Sequence, residues 1–310
     1  MVASGCPPIP VIHMGAELHA VVLSPAIWGV LSAITFGAAD FIARFSSREL
    51  GHDCALFGTF SVTLLILLPL FGIPGIDGSR TTGELFLLVL HGAALTSALL
   101  LLYLSLARGP INLVAPIVAA HPVFVLLVAY VFGARLSTTQ LLAATVVIAS
   151  IVVIVMAVRP AKSGVTTRID NNQLRKTILI AMAASIVYAL MVITGQKASL
   201  IFGTIETLTW GHIVAVLMLL LVRFPQINFR SITAKWALIL IAQGILNALG
   251  LVCLFAGSAG LHPEITAVLS SEFSAVTILL AWWLLKERMT YRQLTAVSAL
   301  FIGTGVLVYG

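Results

Sequence analysis

Leu85-Phe86-Leu87-Leu88-Val89-Leu90-His91-Gly92-Ala93-Ala94-Leu95-Thr96-Ser97-Ala98-Leu99-Leu100-Leu101-Leu102-Tyr103-Leu104-Ser105-Leu106 runs without a single Asp, Glu, Lys or Arg. About 20 apolar residues in helical form cross a ~30 Å hydrocarbon core. Similar blocks fall roughly at 25–45, 55–73, 85–106, 111–133, 139–158, 177–197, 205–222, 236–257, 265–285 and 292–309. The 310 residues are 60% hydrophobic and 9% charged, with a mean hydropathy of +1.11. Soluble domains carry about 25% charged residues. The expected protein is an all-α integral membrane protein with ten transmembrane helices. A barrel would need alternating polar residues, and unpaired backbone groups in lipid cost several kcal/mol each, so the spans must be helices.

Residues 1–24 form an N-terminal segment in which Cys6-Pro7-Pro8-Ile9-Pro10 cannot be helical. No basic stretch precedes an apolar one there, so it does not read as a cleaved signal, and Met14 is an alternative start. Cys6, Cys54 and Cys253 are scattered and show no metal spacing. The net charge of +6 belongs to loops rather than to a nucleic-acid surface. Fourteen of the 17 Lys and Arg residues fall in odd-numbered loops, and only Arg80, Arg135 and Lys197 in even ones. Positive loops stay cytoplasmic. The odd loops should therefore lie inside a cytoplasmic (inner) membrane, with both termini outside. Trp28, Trp236, Trp282 and Trp283 stand near span ends, where an aromatic belt would hold them.

The basic segment 159–176 splits the spans into five plus five, giving one half at 25–158 and another at 177–310. Sliding residues 110–157 forward by 153 brings Pro110 onto Pro263, Arg135 onto Arg288, and Gln140 onto Gln293 without a gap. An odd number of spans per half leaves the second half inserted upside down. Two inverted five-helix repeats are a transporter architecture, with the site near the midplane at the repeat interface.

Ala275-Val276-Thr277-Ile278-Leu279-Leu280-Ala281-Trp282-Trp283-Leu284-Leu285-Lys286-Glu287-Arg288-Met289-Thr290-Tyr291-Arg292-Gln293-Leu294 resembles the penultimate helix and following turn of EamA-type members of the drug/metabolite transporter superfamily. Gly303 and Gly305 suit the family's last helix, and Gly133-Ala134-Arg135-Leu136-Ser137-Thr138-Thr139-Gln140 carries the turn in the first half. Trp28-Gly29 through Gly37-Ala38-Ala39-Asp40 resembles its first helix. Ala134 stands where the family often has Glu, and Ser274 where the second repeat often has Pro. The resemblance implies export or exchange of small metabolites, amino acids or drugs, with a cavity built mainly from the first four helices of each half. Fold does not fix the substrate.

Ionisable groups inside spans are costly and tend to face a cavity or a partner. Glu272, within Ser270-Ser271-Glu272-Phe273-Ser274, is the sharpest candidate for a proton- or cation-linked carboxylate, with a satisfied buried Glu as the alternative. His121 lies beside Pro122. With Pro116, that proline should break span four twice and free the carbonyls of Val118 and Asn112. His91 and His212 are further candidates, each equally readable as a packing residue. Gln243 and Asn247, four apart, should share a helix face, either for substrate or as interhelical contacts. Asp40 sits four residues before Arg44, the spacing of an ion pair. Trp210, Tyr103 and Tyr188 are cavity candidates, or core and belt residues.

No nucleotide-binding motif occurs, so a transporter would run on gradients. A proton as coupling ion, acting through Glu272 and His121, is an expectation added to the carrier reading. A passive facilitator or channel is the alternative; an intramembrane enzyme, lacking His-Glu-x-x-His or a paired catalytic arrangement, is the remote one. No catalytic residues, metal ligands or cofactor are expected. The lipid bilayer and a small-molecule substrate are the expected partners, and a homodimer is left open.

Overall fold

The computed structural model describes residues 24–71, 80–133, 135–157, 171–258, 266, 269–287 and 289–309. The expected segment 1–24 lies almost wholly outside the described residues, as do Cys6 and most of the linker. The elements in chain order are α1 (Pro25–Glu49), α2 (His52–Phe71), α3 (Thr82–Arg108), α4 (Ile111–Ala119), α5 (His121–Val131), α6 (Thr138–Ala157), α7 (Asn171–Phe202), α8 (Thr204–Val222), α9 (Ala234–Ser258), α10 (Phe273–Leu284) and α11 (Tyr291–Tyr309). Two 3₁₀ turns, Phe224–Gln226 and Phe229–Ser231, join α8 to α9. No strand occurs among the described residues.

Among the described residues, eight helices are long and apolar enough to cross a membrane, counting α4 and α5 as the single stretch Ile111–Val131. Of the ten expected spans, the ninth is the shorter apolar helix Leu269–Leu284. The tenth, α11, opens on the polar residues Tyr291, Arg292 and Gln293. The sixth span begins at Asn171 rather than near 177, so Arg175 and Lys176 belong to a helix, not to the linker.

The principal packings keep their pattern when the halves are exchanged. α1 lies against α9 as α3 lies against α7; α2 meets α9 as α8 meets α3; α1 meets α10 as α7 meets α4 and α5. The pairs α2 with α8, α4 with α10, and α6 with α11 are their own counterparts. The α6–α11 pair meets the rest of the bundle chiefly through α4 and α5. Gly303 permits the pairing: a Cβ there would lie 2.8 Å from Val147 Cγ2. Leu142, Met156 and Ile302 on this pair are exposed, as lipid-facing residues should be.

The motif shared by the halves has a local physical cause. Ser137 N–H donates to Gln140 Oε1 (3.0 Å) while Gln140 N–H donates to Ser137 Oγ (3.1 Å). Thr290 N–H donates to Gln293 Oε1 (2.9 Å) and Gln293 N–H to Thr290 Oγ1 (3.3 Å). These are reciprocal capping boxes, which satisfy orphan donors at the starts of α6 and α11.

Both broken helices also break alike. Ala120 N–H reaches Ile117 O (3.4 Å) and Val123 N–H reaches Ala120 O (3.0 Å); Glu272 N–H reaches Leu269 O (3.3 Å) and Ala275 N–H reaches Glu272 O (2.9 Å). Ala120 and Glu272 have nearly the same backbone, φ −79° with ψ 4° and 12°. Span four is broken once, not twice, because α4 continues through Pro116.

Candidate functional site

A chamber of about 550 Å³ opens between the halves, a volume in the range of small-molecule sites. It is bounded by α1, α2, α3, α5, α7, α8 and α9 and by the residues flanking the Glu272 break. Most of its wall comes from the even-loop halves of these helices: Val125, Leu126 and Ala129 on α5, Val192 and Gln196 on α7, Leu208 on α8, and Leu251 and Leu254 on α9. By their positions along the helices, Asp40, Phe60, Leu99 and Leu102 reach furthest towards the odd-loop end.

Three histidines line it. His91 Nδ1 lies 3.2 Å from Met191 O, His121 Nδ1 3.2 Å from Val118 O, and His212 Nδ1 2.9 Å from Leu208 O. A carbonyl only accepts, so each Nδ1 carries a proton, and in its neutral form each ring offers Nε2 as a lone-pair acceptor. His91 is 5% exposed, and its Nε2 has no hydrogen-bond partner among the described residues. Its ring fills a slot between two helices. A Cβ on Gly195 would fall 2.8 Å from Cε1, and one on Gly211 would fall 3.0 Å from Cδ2. The carbonyl of Val118, left free as expected by Pro122, takes both His121 and the Ser185 hydroxyl (3.4 Å).

An aromatic series crosses the chamber wall. His121 faces Tyr188 with centroids 4.7 Å apart, Tyr188 stacks on Phe273 at 6.3 Å, and Phe273 meets Phe36 edge-on at 6.5 Å. His121 and Phe273 each follow a helix break directly, so the two breaks deliver opposite ends of this series. Phe60 abuts His212 at 5.4 Å.

Asp40 lines the chamber, and its carboxylate has no hydrogen-bond or ion-pair partner among the described residues. The expected Asp40–Arg44 pair does not form: Arg44 pairs with Glu287 instead. One helical turn separates Asp40 from Arg44, but Arg44 is claimed by the turn after α10, leaving Asp40 alone. Sequence spacing hid this, because a cation four residues away is the usual partner of a helical carboxylate.

Asn247 lines the chamber and donates from Nδ2 to Thr63 Oγ1 (3.0 Å). Gln243 does not share that role. It is fully buried, accepting from Ser46 Oγ (2.8 Å) and donating to the Tyr103 hydroxyl (2.7 Å). It ties α9 to α1 and α3. Ser271 lines the chamber, together with Ser270, whose hydroxyl lies 2.8 Å from Ser32 Oγ. Glu272 and Trp210 are outside the lining. Glu272 accepts from Thr304 Oγ1 on α11 (3.3 Å), so it faces the outer pair rather than the chamber. Pro116 is buried within α4 and Pro122 lines the chamber. Phe36, Gln196 and Ser270 are wall residues that sequence reasoning passed over; nothing in their spacing marked them. Among the described residues no group of three His, Cys, Asp or Glu could hold a metal ion.

At the odd-loop end, ion pairs and hydrogen bonds tie the helices together. Arg223 grips Asp53 with two hydrogen bonds, 2.7 and 3.0 Å, and that carboxylate holds the guanidinium above its usual pKa. Arg48 donates to Ala107 O (3.0 Å) and Gly109 O (3.2 Å). With Arg44–Glu287, these contacts bind α1 and α2 to α3, α8 and the turn after α10.

The family model of EamA-like transporters matches residues 23–156 and again 175–309. The chain belongs to the EamA-like transporter family. Each half of this EamA-like chain carries one copy of the family unit, in agreement with the resemblance read from residues 275–294 and 133–140. No curated protein matches the chain. One solved crystal structure superposes with a TM-score of 0.62 at 14% identity, covering 92% of this chain and 96% of that one, a likeness of fold alone. The family makes the chain a multi-pass membrane protein of the transporter type.

Proposed function

We propose that the chain is a secondary transporter that exports or exchanges a small organic solute across the cytoplasmic membrane by alternating access. One observation carries this: a chamber walled by both halves reaches towards the even-loop end while charged clasps tie helices together at the odd-loop end. A carrier holds such a one-sided state; a passive channel needs a continuous path. The exchange-symmetric packing of α1 on α9 and α3 on α7 supports two inverted halves, with a partner state in which the closed end opens. With the basic odd loops inside, the present state faces outward.

Asp40, His91, His121, His212, Asn247 and Ser271 are the proposed binding groups, because each lines the chamber. A proton is the proposed coupling ion, supported by the titratable groups among them. Energy from a membrane potential is about 2.3 kcal/mol per charge per 100 mV. The test is counterflow in proteoliposomes, screened with a metabolite and drug library. Saturable exchange that accelerates on an imposed pH gradient is expected. Linear, unsaturable flux would overturn the carrier reading.

A further inference from the structure

We infer that the solute is an organic cation, a protonated amine on an apolar, aromatic-sized body. This rests on the transporter reading and narrows it. The chamber lining holds one formally charged side chain, Asp40, and no Lys or Arg among the described residues. Arg44, the cation closest in sequence, is spent on Glu287. Asp40 is half-buried, and a carboxylate that faces a mostly apolar wall without a partner is poorly compensated. A bound ammonium would supply the missing partner.

The neutral polar groups point the same way. With Nδ1–H held by carbonyls, His91, His121 and His212 present only Nε2 lone pairs. Asn247 Nδ2 is already used on Thr63. The Asp40 carboxylate and the Nε2 lone pairs face a wall whose donors are neutral, the Gln196 amide and the Tyr188 and serine hydroxyls, so a ligand with several N–H bonds is favoured over an anion. Phe36, Phe60, Tyr188 and Phe273 make part of the wall aromatic, and cations are drawn to aromatic rings. Asp40 lies at the end of the chamber nearest the odd loops, so the ammonium would enter first and the apolar body would rest against Leu95, Leu126 and Leu251.

The test is equilibrium binding to purified protein in detergent near neutral pH. The probes are aromatic alkylammonium ions of one to three rings, 2-phenylethylammonium among them. Each is compared with its neutral alcohol and its carboxylate of matched shape. At least one ammonium should bind about tenfold or more tightly than its two counterparts. Asp40→Asn, checked by size-exclusion chromatography for a folded particle, should erase that preference, so that the ammonium binds no more than about twofold more tightly than its alcohol. Asp40→Glu should restore it. Failure of every ammonium to bind, equal binding of the alcohol or carboxylate, or an unchanged preference in Asp40→Asn would each overturn the inference. Binding in detergent needs no translocation. An ammonium that binds but is not moved in proteoliposomes would uphold the cation site and overturn the carrier reading.

Discussion

At the scale of single residues, charge partners decide which groups are free for function. Asp40 and Arg44 look like a pair in the sequence, yet the turn at Glu287 takes Arg44. That competition is tertiary, with the two residues far apart in the chain, and no local pattern reveals it. Glu272 illustrates the reverse: its sequence setting suggests a chamber carboxylate, whereas its oxygen meets Thr304 on α11. The histidines were legible as candidates because polar rings in apolar runs are conspicuous, but their tautomers depend on carbonyls that only the fold supplies. The slot around His91 gives a sharp expectation. Gly211→Ala puts a methyl 3.0–3.2 Å from the ring, an overpacking worth about 1–3 kcal/mol. Thermal unfolding in detergent should fall, and solute binding should weaken because the ring is displaced. Glu287→Gln removes the charge that balances the buried Arg44, and hydrogen bonds to charged groups contribute about 1.5–3 kcal/mol. The odd-loop end should then open more often. Cys54, 1% exposed beside Asn228, serves as reporter in a background without Cys6 and Cys253. Its alkylation should accelerate about tenfold or more, and an unchanged rate would show that this clasp does not hold the end closed.

At the scale of elements, the sequence motif and the helix ends explain each other. Gln140 and Gln293 fall at one common offset because each completes a capping box with the residue three positions earlier. Thr290→Ala should cost about 0.5–2 kcal/mol, read as a lowered midpoint of unfolding, with a similar loss for Ser137→Ala at the equivalent place. The breaks teach a different lesson. Pro122 announces the break at Ala120, and no proline announces the one at Glu272, where Ser274 occupies the corresponding place. The same i to i−3 hydrogen bonds form at both. Packing of α10 across α1, including the Thr277 hydroxyl on Gly37 O (3.1 Å), accompanies the second break without a local cue. Spans and repeats were readable because hydropathy is a property of whole segments; kinks and helix starts such as Asn171 depend on a few residues and their neighbours.

At the scale of the whole molecule, both halves contribute to one chamber, and among the described residues the ion-pair clasps lie at the odd-loop end. Exchange of the halves maps α5 and α7, whose even-loop ends carry Phe132 and Leu200, onto α10 and α1, whose odd-loop ends carry Leu284 and Glu49. All four residues are exposed and so accept labels without disturbing the core. Spin labels at Phe132 and Leu200, and in a second protein at Leu284 and Glu49, measure the two ends by pulsed electron resonance. Under turnover with a transported solute, the account predicts two distances for each pair. Conditions that shorten the Phe132–Leu200 distance should lengthen the Leu284–Glu49 distance. A single fixed distance at both ends during sustained transport, or two ends that widen together, would contradict alternating access between exchanged halves.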